Sequence, residues 1–315
     1  MSSPTLIGID LGGTKCAVST PDGSEKLTEL ARFPSGPPLP TLTRIFEEID
    51  RISPGKDVVF GISCGGPLDA RRGLIFSPPN LPGWDEIAIC SELTRRYGGQ
   101  AWLMNDANAS ALAEWQLGAG RGCRNMVFLT MGTGMGAGLI VDGRLYEGAN
   151  GNAGEVGHLR LASTGPIGYG KAGSFEGFCS GGGIVKLTRI RISQYAKRSS
   201  LAEVAPNELS ARHVALAATL GDELALAIWR EVGQRLGEAL AILVDILNPE
   251  RIVLGSIYSR CEPFIAPAMQ AALHQEALGP SVSVCRIVPG LLGEQIGSHA
   301  ALAVARYYAS PSLTQ

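Results

Sequence analysis

The chain has 315 residues, 45% of them apolar and 18% charged, and carries a net charge of −2. This is a globular composition on a chain longer than the ~250–300 residues one core supports, so two domains are expected. Scattered, nearly balanced charge leaves no footprint for nucleic acid or an anionic membrane, and no window nears the ~18 apolar residues of a membrane span. Met1–Asp10 lacks the basic stretch and apolar run of a secretory signal. Seven widely spaced cysteines (16, 64, 90, 123, 179, 261 and 285) include no CxxC pair and read as reduced thiols of a cytoplasmic protein.

In chain order, Thr5–Asp10 reads as a buried strand, Gly12-Gly13 as a turn and Cys16–Thr20 as a second strand, closed by a turn at Pro21-Asp22-Gly23. Leu42, Ile45, Phe46, Ile49 and Ile52 have helical spacing. Val58–Ser63 and Ala101–Met104 are short β-rich runs, and Ala107–Leu117 is an alanine-rich helix ended by Gly118 and Gly120. Met126–Thr130 begins a second cycle: a glycine-rich turn over Gly132–Gly138, a strand at Ala137–Val141, and a hairpin through Asp142-Gly143 to Leu145-Tyr146. Beyond it come a long helix at Leu224–Leu247, a strand at Arg251–Leu254 ending in Gly255, and a helix at Pro267–Leu278. A strand at Val282–Val288 and a closing helix at Ser298–Tyr307 complete the chain. The order strand, glycine turn, strand thus occurs twice, as two copies of one half-fold around a cleft would have it. The expected division is a smaller domain over 1–118 and a larger one over 119–297, with the helix near 298–315 packing back on the first.

Four segments carry chemistry. In Asp10-Leu11-Gly12-Gly13-Thr14-Lys15, a carboxylate at a strand end precedes two glycines that let backbone amides approach phosphates; Asp10 suits Mg2+ held through water. Thr130 to Gly138 alternates four glycines around Thr133, a second loop able to wrap phosphates. Neither is a Walker A loop or a dinucleotide fingerprint. Asn105-Asp106 joins a strand end to a helix start, where Asp106 serves either as a helix cap or as a general base. Glu155 and His158, three residues apart, face one way on a helical turn, and with Glu176 they suit a polyol.

Together these segments resemble the ROK family of bacterial sugar kinases, within the actin-like, hexokinase-like ATPase superfamily. The resemblance rests on DLGGTK (10–15), GPLDARRG (66–73), PNLPGW (79–84), NDANASALAE (105–114), GAGRG (118–122), GTGMGAGLIVDGRLYEGANGNAGEVGH (132–158) and NPERIVLG (248–255), in family order over about 80% of the chain. It implies an α/β fold of two ribonuclease H-like (actin-like ATPase) domains facing a central cleft, and the use of ATP and Mg2+. It implies that Asp106 is the catalytic base, and that Gly66, Asn80, Asn105, Asp106, Glu155, His158 and Glu176 line the sugar pocket. Asp10, Gly12, Gly13, Thr14, Lys15, Thr133, Gly134 and Gly255 fall at the nucleotide, with Asp10 organising Mg2+. Homodimers are common among such relatives.

Two departures matter. The family's CxCGxxGCxE segment, whose cysteines bind zinc with the histidine, is here Ile167 to Glu176, with Ile167, Tyr169 and Ser174 in place of the cysteines. No structural zinc is expected, and the 159–180 loop must be ordered by packing, with Tyr169 and Phe175 as candidates. Repressor members carry a DNA-reading helix-turn-helix before the first glycine turn, and only nine residues precede Asp10 here. PNLPGW and the polar set look most like glucokinase-type members, acting at the 6-hydroxyl of glucose. Kinases of N-acetylmannosamine, N-acetylglucosamine, fructose or allose share the pocket skeleton, and a non-catalytic sugar sensor is the alternative from another class.

Overall fold

The computed structural model describes residues 4–22 and 27–310. Gly23 of the expected Pro21-Asp22-Gly23 turn, and residues 311–315 of the closing segment, lie outside the described residues. The chain forms two compact units: Met1–Arg124 with Gly138–Ala153 and Leu291–Gln315, and Asn125–Ala137 with Gly154–Gly290.

The chain begins with β1 (Thr5–Leu11), β2 (Lys15–Pro21), β3 (Leu27–Pro34), α1 (Pro38–Ile52) and β4 (Val58–Cys64). A small hairpin, β5 (Leu68–Asp69) and β6 (Leu74–Ile75), leads to α2 (Ile89–Tyr97), β7 (Gln100–Asn105) and α3 (Asp106–Gln116). Next come β8 (Met126–Met131), β9 (Met135–Val141), β10 (Arg144–Leu145), and a hairpin of β11 (Ile167–Gly168) and β12 (Lys171–Ala172). Helices α4 (Phe175–Cys179), α5 (Gly181–Gln194), α6 (Ala211–Thr219) and α7 (Glu223–Leu247) follow. The chain closes through β13 (Arg251–Leu254), α8 (Ile257–Glu276), α9 (Gly279–Val284), β14 (Arg286–Pro289) and α10 (Ile296–Ala309).

Among the described residues there are two five-stranded sheets, ordered β3-β2-β1-β4-β7 and β10-β9-β8-β13-β14. Counted from the first strand of each, both read third, second, first, fourth, fifth, so the doubled strand-turn-strand pattern marks a doubled sheet. In the first sheet the β1–β2 and β2–β3 pairs are antiparallel, and β1–β4 and β4–β7 parallel. In the second, β13 runs parallel to both β8 and β14. Parallel strands of this kind are buried on both faces and so read as continuous apolar runs, as β4 does, with all seven residues buried.

Gly8 and Gly61 face each other across the β1–β4 ladder. A Cβ on Gly61 would lie 2.2 Å from the Ala301 carbonyl, and one on Gly8 would lie 2.7 Å from the Leu302 amide. These glycines seat the alanine-rich α10 directly on the sheet. In the second unit, α7 and α8 approach in the same way: a Cβ on Gly237 would meet the Met269 carbonyl at 2.3 Å.

Two expectations change. The helix foreseen over Pro267–Leu278 starts ten residues earlier, at Ile257, and continues through Pro263 and Pro267, interior prolines that disguise a helical run. The strand foreseen over Val282–Val288 is the short helix α9 followed by β14. Its Ser-Val alternation resembles a half-buried strand, but no α9 residue is buried, and Pro280 sits in its first turn.

Candidate active site

In the first unit the candidate residues gather at the carboxyl ends of β1, β4 and β7, where open α/β sheets collect ligands. Asp10, near the end of β1, is half-buried, and its carboxyl is pushed up to about 6. Burial is the largest cause; the nearby Arg32 opposes it, and the negative charges of Asp106 and Glu29 add to it. Its oxygens rest against the first turn of α10, where a Cβ on Gly297 would lie 2.2 Å from one of them.

Gly12 donates its amide to the Lys15 carbonyl at 3.0 Å, which closes the β1–β2 turn. A Cβ on Gly13 would fall 2.4 Å from the Asn80 Cβ and 2.9 Å from the Asn80 carbonyl. The expected phosphate turn and the expected sugar loop therefore touch, backbone to backbone. Gly13, Thr14, Lys15 and Asn80 are all solvent-exposed.

At the β7–α3 junction the cap is Asn105, whose side-chain oxygen accepts the Ala107 amide at 2.9 Å. Asp106 is the first helical residue rather than the cap, which removes the structural duty its position suggested. It is exposed at the surface, yet the mass around it raises its pKa well above the carboxylate range, with the amides of residues 107 and 106 pulling the other way. A carboxyl can be open on one side and still be poorly solvated. The Gly65-Gly66 backbone borders both side chains. A Cβ on Gly65 would lie 3.9 Å from an Asp106 carboxylate oxygen, and one on Gly66 would lie 3.7 Å from the Asn105 amide nitrogen.

In the second unit, the β8–β9 turn carries Thr133 and Gly134. Gly132 donates to the Gly134 carbonyl at 3.1 Å and accepts from the Gly181 amide at 2.8 Å. The start of α5, Gly181-Gly182-Gly183, thus lies beside the turn. The sequence reading missed it; the Ser180-Gly181 signal is there, since the Ser180 side chain caps α5 by accepting the Gly183 amide. Gly255, at the end of β13, bonds to the Leu129 carbonyl at 2.9 Å, and the Ile257 side chain comes next to Gly181.

Glu155 immediately precedes a 3-10 turn, Val156–His158, so Glu155 and His158 sit on one turn, both exposed. Glu176 accepts the Met135 amide at 3.2 Å, and a Cβ on Gly134 would crowd its carboxylate at 2.9 Å. A residue expected at the sugar therefore also braces the glycine turn.

The donor set does not fit structural zinc. Ile167 has no ligand atom. The Ser174 hydroxyl is committed, accepting from the Gly177 amide at 3.0 Å and donating to the Gly168 carbonyl at 3.1 Å. Among the described residues no group of three His, Cys, Asp or Glu side chains could hold a metal. Phe175 is fully buried, and Tyr169 stacks on His158 with ring centroids 3.9 Å apart. For Mg2+ the acceptors do fit: the negative charge of Asp106 adds to the cost of ionising Asp10, which a hydrated cation would relieve. No helix of the described residues is long and apolar enough to cross a membrane.

The ROK family pattern matches residues 6–307. A glucokinase of Thermotoga maritima is 33% identical over 301 residues, spanning 93% of this chain and 94% of that protein. The crystal structure of a ROK hexokinase from Thermus thermophilus superposes with a TM-score of 0.79 at 28% identity, covering 95% of this chain and 97% of that one. A ROK family glucokinase from Streptomyces griseus, solved in complex with glucose and AMPPNP, gives 0.77 at 26% identity, covering 96% and 99%.

Proposed function

This chain belongs to the ROK family, and from that premise we propose that it transfers the γ-phosphoryl group of ATP to the 6-hydroxyl of glucose, with Asp106 as general base. The coarser statement, an ATP-dependent sugar kinase with an α/β actin-like fold, rests on the relatives and on the doubled sheet. The observation that carries the general-base role is Asp106: accessible, relieved of capping by Asn105, and held with a raised proton affinity, while the choice of glucose rests on the glucokinase relatives. A base with such an affinity is better matched to taking a hydroxyl proton than an ordinary carboxylate.

In this reading Asn80, Asn105, Glu155, His158, Glu176 and the Gly66 backbone orient the sugar. The backbone amides of Gly12, Gly13 and Gly134, with Thr14, Lys15 and Thr133, hold the phosphates, and Gly255 borders the adenosine. Asp10 would hold Mg2+ through water, and the cation would neutralise charge on the phosphates. Phosphoryl transfer asks little else of the protein, since positioning and charge stabilisation do most of the work. The proposed setting is cytoplasmic and the assembly a homodimer.

The test is a panel of glucose, N-acetylmannosamine, N-acetylglucosamine, fructose and allose with ATP and Mg2+, read by coupled ADP detection. ADP release that depends on glucose above the others supports the proposal. Preference for another sugar corrects the substrate, and sugar binding without ADP release replaces the kinase by a sensor.

A further inference from the structure

We propose that Tyr169 is a positioning residue for His158, its ring doing by stacking what a coordinated metal would otherwise do for that imidazole. The proposal rests on the reading of His158 as a sugar-binding residue. The two rings lie 3.9 Å apart between centroids and 21° from parallel. At that spacing the imidazole is held against a flat surface, so tilting it breaks the contact.

Three further features show a hairpin built to deliver that ring. Tyr169 and Gly170 are the two loop residues between β11 and β12, whose register pairs Gly168 with Lys171. Both have positive φ, 51° and 67°, as a tight type I′ hairpin turn requires. Gly170 suits this, but a β-carbon at position 169 disfavours it, and asparagine or aspartate would be the ordinary choice. Core packing does not explain the tyrosine, because it is 48% exposed. The approach is also cleared from the other side: a Cβ on Gly157 would lie 2.9 Å from Tyr169 Cε2.

The same hairpin is fastened to the histidine's own backbone. Lys171 Nζ donates to the His158 carbonyl at 2.8 Å, so ring and main chain are gripped by residues two apart. Arg160 donates to the Ala172 carbonyl at 2.9 Å, and the backbone bridge between Arg160 and Ser174 ties the hairpin's far side. The loop is thus ordered from both ends of the 158–160 segment without a metal ligand.

The experiment compares the full-length wild type with Tyr169→Leu and Tyr169→Phe, using His158 imidazole proton resonances and steady-state kinetics. In the wild type the resonances should be shifted upfield by the tyrosine ring current, and Tyr169→Leu should release them while Tyr169→Phe does not. Tyr169→Leu is expected to raise sugar KM about tenfold, with kcat and ATP KM within about twofold, and Tyr169→Phe to restore the wild-type value. Unmoved resonances in Tyr169→Leu, an unchanged sugar KM, or a loss equally large in Tyr169→Phe would each overturn the proposal, as would stoichiometric zinc whose removal abolishes sugar binding. If Tyr169→Leu does not fold, cross-relaxation between the two rings in the wild type decides, and its absence is a negative result. Should the wild type bind sugar but release no ADP, the kinase reading fails by itself; sugar Kd then replaces KM and must order the three proteins identically. No sugar binding at all removes both.

Discussion

The two glycine turns look alike in sequence, but the structure supports them differently. The β1–β2 turn is closed by backbone against backbone, where the nearest atoms to a Cβ on Gly13 are the Asn80 Cβ at 2.4 Å and its carbonyl at 2.9 Å. The β8–β9 turn is braced by a side chain, the carboxylate of Glu176 on the Met135 amide, with the Gly181 amide behind it. The first sits beside two carboxyls of raised proton affinity, Asp10 and Asp106. The contrast is one of support: an atom added at the first turn meets the Asn80 Cβ and carbonyl, which cannot swing aside, and one added at the second meets the end of the Glu176 side chain, which can.

The largest effect should come from the chemistry itself. Asp106→Asn is expected to lower kcat by about 10²–10⁴-fold, the ordinary worth of general-base catalysis, while sugar affinity measured by titration stays near wild type. Normal turnover in that variant would remove Asp106 from its role.

Alanine at each turn then tests the rigid-versus-adjustable contrast. Gly13→Ala must push on main chain, so a shift of about an ångström and a loss near 10²-fold in kcat/KM are expected, for both sugar and ATP because Asn80 moves too. Gly134→Ala pushes on the end of a flexible glutamate, and a loss nearer tenfold is expected. Equal losses from the two would erase the contrast.

Smaller, and opposite in sign for activity and stability, is the pH response of Asp10. Its ordinary value of 3.8 rises to about 6 in the fold, so between these values the folded chain binds more protons than the unfolded one. Thermal stability of the unliganded protein should therefore fall as pH rises through that window, and Asp10→Asn should flatten the slope. Activity should run the other way, declining below about pH 6 as Asp10 takes up a proton. A melting curve indifferent to pH in wild type and variant alike would contradict the raised value. The smallest effect belongs to the zinc-less loop: Ser174→Ala removes the cap of α4 and should cost about 1 kcal/mol of unfolding free energy, with no zinc dependence before or after.

Most of the sheet was legible because the strands leading into each turn are short apolar runs bounded by glycine, and little else fits that pattern. Helices α2 and α5 were not legible, each for its own reason. Gly181-Gly182-Gly183 opens α5 with poor helix formers, and α2 is a short, strongly charged segment whose buried contacts are only Ile89 and Leu93. The groups proposed for the site stand in motifs of glycines and carboxylates in fixed order, a pattern that needs no coordinates to be seen. Which polar group caps α3 was not readable, because Asn105 and Asp106 are both good caps and only the backbone angles at 105 select one.

By itself, then, the sequence determined most strands along the chain, the two turns and the identity of the groups offered to a ligand, because each of these is written in local spacing and residue chemistry. Tertiary structure alone decided which glycines are obligatory, how strongly the two carboxyls hold their protons, and that the Tyr169 ring stacks on His158. Those depend on close approach, desolvation and ring contact between residues far apart in the chain, and such quantities do not exist until the chain is folded.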